Sequence, residues 1–132
     1  MTFNRSIVPK NSEVDMSTLE VALFLQQDNI SDYPYREGVQ DCRWFSRALR
    51  ERAFEQDMLI YIVELKTLDG GGHMLNFVNL SDKGVVFIEP QTDEMMFGEQ
   101  QLIDAFRYLL DDFAIVYHEY DWGWSKLSEG RR

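Results

Sequence analysis

His73-Met74-Leu75-Asn76-Phe77-Val78-Asn79-Leu80, then Ser81-Asp82-Lys83-Gly84, then Val85-Val86-Phe87-Ile88-Glu89-Pro90, reads as two extended runs joined by a tight turn. The runs are rich in β-branched and aromatic residues, and the Ser-Asp-Lys-Gly break supplies turn formers between them. Pro90 has no amide proton and ends the second run. Upstream, Leu59-Ile60-Tyr61-Ile62-Val63 makes a third extended segment, which reaches His73 through Leu65 and the loop Asp69-Gly70-Gly71-Gly72. Together the three segments predict a β-meander.

Outward from the meander the period becomes helical. Before it, Cys42, Phe45, Leu49 and Ala53 share one face of a helix predicted from Gln40 to Gln56, with Arg43, Arg47, Arg50, Glu51 and Glu55 largely opposite. Asp41 is placed to cap this helix and to leave the next amides open to an anion. Further upstream, Ser17-Thr18-Leu19-Glu20 has the form of a capping box, and Asp28 to Pro34 breaks the helix that follows it. After the meander, Gln100 to Leu110 predicts another helix and Phe113 to Tyr117 a last strand. This order predicts an α+β fold, with the Cys42 helix packed on a mostly antiparallel sheet.

With 132 residues, 45% of them hydrophobic and 14% aromatic, the chain is expected to form one domain, with residues 1–14 as an irregular arm and 120–132 as a tail. The formal charge of -10 repels phosphate backbones and anionic lipid, so neither nucleic acid nor membrane is an expected partner. The single cysteine precludes an internal disulfide, and Met1 to Arg5 lead into no long apolar run, so the expected compartment is cytoplasmic. No cofactor is indicated. One cysteine and two distant histidines are a poor zinc set, and the Asp32 and Asp111-Asp112 clusters lack the oxygen-ligand spacing of a calcium loop. Oligomeric state is open, with a homodimer contact through the tail as one option.

The chemistry concentrates at three positions. Cys42 at a helix start, His73 after a glycine triplet and Glu89 at a strand end make a nucleophile, a base and an orienting acid. A simple register pairs Leu80 near Val85 and sets Asn76 opposite Glu89. A different turn shifts this by two or three positions, so Glu89, Gln91 and Asp93 all stand as partners for His73. In acyl transfer Cys42 would attack a carbonyl, His73 would carry the proton and Glu89 would hold the imidazole tautomer. The Cys42 amide, with Gln40 or Gln91, would stabilise the oxyanion, while Gly72 and Asn76 would line the substrate path.

Asp41-Cys42, Gly71-Gly72-His73 with Asn76, and Phe87-Ile88-Glu89-Pro90-Gln91-Thr92-Asp93 resemble the motifs of papain-like and transglutaminase-like cysteine peptidases. The likeness is nearest to the papain-like protease domain at the C-terminus of a fairy-ring mushroom agglutinin. It covers about Tyr35 to Glu94. The resemblance implies a thiol hydrolase or acyltransferase with a Cys42-His73-Glu89 triad, acting through a thioester on amide bonds of a peptide or protein substrate. The plainer reading makes Cys42 ordinary core, since unpaired cysteine is among the most buried residue types. Under it the domain is a noncatalytic interaction module, with Tyr117, Tyr120, Trp122 and Trp124 as an aromatic surface for a protein or a stacking platform for a sugar.

Overall fold

A computed structural model describes residues 16–107, 110 and 112–118. The aromatic tail positions Tyr120, Trp122 and Trp124, the arm 1–14 and the tail 120–132 lie outside the described residues. Helix α1 spans Thr18–Gln27, a 3-10 turn follows at Ile30–Asp32, and α2 spans Cys42–Glu55. Strands β1 (Tyr61–Thr67), β2 (Gly72–Leu80), β3 (Gly84–Glu89) and β4 (Glu94–Phe97) precede α3 (Glu99–Phe106) and β5 (Phe113–His118). The strands form one sheet in the order β4-β3-β2-β1-β5, antiparallel at every junction. This is the expected α+β class. The finer expectation of a papain-like core is not carried by the architecture.

The Ser17 box forms as expected. Its side chain accepts from the Glu20 amide while the Glu20 carboxylate accepts from the Ser17 amide at 2.9 Å. The same end of α1 is tied to the β2–β3 turn, because the Thr18 amide and hydroxyl both donate to Asp82 and the Ser81 amide donates to the Met16 carbonyl. The helix start and the turn therefore fix each other's position.

The sheet buries both faces. Val78, Leu80, Val86 and Ile88 pack under α1 and α2 with Phe24, Leu25, Leu49 and Ala53. Leu75, Phe77 and Phe87 pack on the other face with Leu102 and Phe106 of α3 and with Ile115 and Tyr117 of β5. That explains why β2 and β3 read as near-continuous apolar runs rather than alternating ones.

Two details differ from the sequence expectation. The β2–β3 register is one residue tighter, pairing Leu80 with Gly84 and Asn76 with Ile88. Gly84 takes φ +72, which lets the turn close earlier than the simple count assumed. One position matters here, because side-chain direction alternates along a strand: it places Glu89 across from Leu75, on the same face as His73. The second difference is β4. After Pro90 the Thr92 and Asp93 amides both return to the Glu89 carbonyl, and Asp93 at φ +67 reverses the chain into a four-residue edge strand. His118, at the end of β5, is half-buried, with Nε2 3.1 Å from Glu64 Oε1.

Candidate functional site

Pairing of β2 with β3 ends at Asn76 and Ile88, so His73 and Met74 project beyond the paired stretch. The N-terminus of α2 meets them there. Cys42 lies near enough to the His73 ring and the Met74 amide for both to act on its thiol. His73 Nε2 lies 2.5 Å from Glu89 Oε1, which leaves Nδ1 as the ring nitrogen available to the thiol. The second Glu89 oxygen accepts from the Gln91 amide at 3.2 Å, and the Phe106 ring lies against the imidazole with centroids 5.2 Å apart. Three residues distant in sequence thus converge in one cluster.

The electrostatics of the cluster are those of an ion pair. Burial works against a charged His73, but hydrogen bonds to Cys42 and Glu89, with their negative charges, hold its pKa up at about 9. Burial likewise works against a Cys42 thiolate, yet the imidazole, the Met74 amide and the cationic charge of His73 bring the thiol below its ordinary value. Asp41 opposes that shift. Nearby Tyr35 is pushed up by burial and by the charges of Cys42, Asp41 and Glu37.

Of the other expected site residues, Asn76, Gln40 and Gly72 have partners within the fold. Asn76 is fully buried, and its Nδ2 donates to the Ser46 carbonyl at 2.9 Å and the Tyr61 carbonyl at 3.2 Å, locking α2 to the sheet. The Gln40 side chain donates to the Pro34 carbonyl at 2.6 Å and braces the loop before α2. Gly72 pairs with Lys66 at the end of the β1–β2 ladder. The amides expected to face an anion are also engaged, since the Asp41 side chain accepts from Arg43 and Trp44. An oxyanion forming beside Cys42 would therefore meet a carboxylate at the helix cap, the opposite of the charge it requires. Asp41→Ala should cost about 1 kcal/mol of stability through the lost cap. It should also deepen the acidity of Cys42, readable as faster thiol alkylation near neutral pH; an unchanged or slower rate contradicts the assigned charge effect.

A second feature lies along the outer face of α2. Trp44, Arg47, Ala48, Glu51 and Glu55 recur at helical spacing and floor an open cleft of about 590 Å³, walled by Ile30, Tyr33 and the Gly38-Val39 loop. Tyr33 and Trp44 meet in its lining, with ring centroids 5.3 Å apart and planes tilted by 47°. Sequence reasoning missed this cleft. The available signal was Trp44 itself, a large aromatic placed off the Cys42-Phe45-Leu49-Ala53 stripe and among charged residues.

No family model matches the chain, and no curated protein is similar to it in sequence. Solved structures match its fold. The PSL1a–E64 complex aligns with TM-score 0.57 at 13% identity, over 78% of this chain and 38% of that one. Polyporus squamosus lectin bound to the human-type influenza-binding epitope Neu5Aca2-6Galb1-4GlcNAc aligns with TM-score 0.56 at 14% identity, again over 78% and 38%. The chain spans well under half the length of these lectin chains. The expected kinship with papain-like and transglutaminase-like peptidases is corrected by this finding, because the matching structures are of a lectin. With it falls the reading as a cysteine hydrolase or acyltransferase on a peptide or protein substrate.

Proposed function

We propose that this domain is a noncatalytic binding module whose ligand is a carbohydrate, held in the cleft lined by Tyr33 and the outer face of α2. The observation that carries the reading is the cleft's chemistry: two aromatic rings in contact, bordered by Asp41, Arg43, Arg47 and Glu51. A sugar is amphipathic in the same sense. Its C–H face packs on indole and phenol rings, and its hydroxyls are met by planar charged groups that donate and accept in pairs. At about 590 Å³ the cleft falls within the roughly 300–1,000 Å³ of small-ligand sites. A protein partner would instead call for about 800 Å² of contact face. The fold shared with a lectin bound to a sialylated trisaccharide lends the reading support, on the scale of fold alone.

The test is an array of neutral and sialylated oligosaccharides, followed by calorimetric titration of a retained glycan. Trp44→Ala should weaken binding at least tenfold, about 1.4 kcal/mol, while Cys42→Ala should leave it unchanged. Retention of no glycan, or equal affinity in Trp44→Ala, refutes the proposal.

A further inference from the structure

We propose that Cys42 is a peroxide-reactive thiol, oxidised reversibly to a sulfenic acid within the His73–Glu89 cluster. The argument is geometric and independent of the carbohydrate reading. Cys42 is partly exposed at the N-terminus of a 14-residue helix, beside the His73 ring and the Met74 amide. His73 is itself held by Glu89 at 2.5 Å and backed by Phe106, so the ring is fixed in place beside Cys42. Such an environment keeps a nucleophilic sulfur and a proton donor side by side.

The reaction balances on these groups. The Cys42 thiolate attacks one oxygen of hydrogen peroxide, an S–O bond forms and the O–O bond breaks. The departing hydroxide takes the His73 proton and leaves as water, giving neutral histidine and cysteine sulfenic acid. Sulfur is oxidised by two electrons and peroxide is reduced by two. The described chain holds no other cysteine to resolve the product, since Cys42 is the single one in the sequence. Resolution therefore falls to an external low-molecular-weight thiol, which forms a mixed disulfide and releases water. A second thiol then returns Cys42 to its reduced form.

The test treats folded protein with hydrogen peroxide at pH 7, traps sulfenic acid with dimedone and follows the adduct by mass spectrometry. Urea-unfolded protein serves as the reference for an ordinary thiol. Folded wild type should label at least tenfold faster than unfolded, Cys42→Ala should not label, and glutathione added before dimedone should divert the product to a mixed disulfide. His73→Gln should lose the acceleration, and Glu89→Gln should lose part of it. Folded wild type reacting no faster than unfolded protein overturns the proposal without recourse to any variant. So does a folded His73→Gln that reacts as fast as wild type.

Discussion

Gly72→Ala should destabilise the domain by about 3 kcal/mol or more, enough to shift a urea midpoint by more than 1 M for a protein of this size. Gly72 adopts φ +133, a conformation L side chains rarely take, and a Cβ there would sit 2.0 Å from the Leu65 carbonyl oxygen and 3.1 Å from its carbon. Both atoms are backbone of β1, so no rotamer change relieves the overlap. Relief requires opening the Lys66–Gly72 end of the ladder, next to the residue that carries the imidazole. Gly70→Ala is the matched control. It has φ +87 but open space around the added methyl, so only the backbone term of about 1–2 kcal/mol applies. A Gly72→Ala unfolding free energy within about 1 kcal/mol of wild type would contradict the close approach of the two strands.

Protonation of the cluster should be visible in stability against pH, with two contributions of opposite sign. His73 has its folded pKa raised to about 9 from 6.5, so the stability it adds is fully present below pH 6.5 and is lost as pH rises toward about 9. Cys42 is lowered from 9.0, so its contribution is fully present above pH 9.0 and is lost as pH falls through its folded value. In wild type the two oppose each other across neutral and mildly alkaline pH. Cys42→Ser removes the thiolate and leaves histidine supported by Glu89. Its stability, measured against the double variant Cys42→Ser/His73→Gln, should fall by about 1–3 kcal/mol as pH rises from 6.5, more steeply than wild type does. A difference between the two variants that stays flat with pH contradicts the assigned imidazolium–carboxylate pair.

The parts of the molecule that depend on local pattern were legible. The Ser17 box, the Cys42-to-Ala53 stripe and the three-strand meander each carry their signal within a few residues of sequence. β4 was not legible, because Met95 and Met96 carry little strand preference and the turn that delivers them depends on Asp93 in the left-handed region. The register was missed by one because turn type, not hydrophobic pattern, fixes it when both sheet faces are apolar. For the site, Cys42, His73 and Glu89 could be named from their types and order, whereas the commitments of Gln40 and Asn76 to backbone carbonyls are tertiary facts. The cleft is tertiary as well. Tyr33 belongs to a turn and Trp44 to a helix, and only folding brings their rings into contact.

The central claim is that this domain holds a carbohydrate against Tyr33 and Trp44 and releases it unaltered. Its most direct measurement is a nitrogen-15 NMR titration with an oligosaccharide retained on the array, the Trp44 indole proton being the reporter. The account predicts that the Trp44 indole and the Tyr33 amide shift on titration, that His73 and Met74 stay in place, and that the sugar is recovered intact. Shifts confined to Cys42, His73 and Met74, or turnover of an amide or ester substrate that Cys42→Ala abolishes, would contradict it.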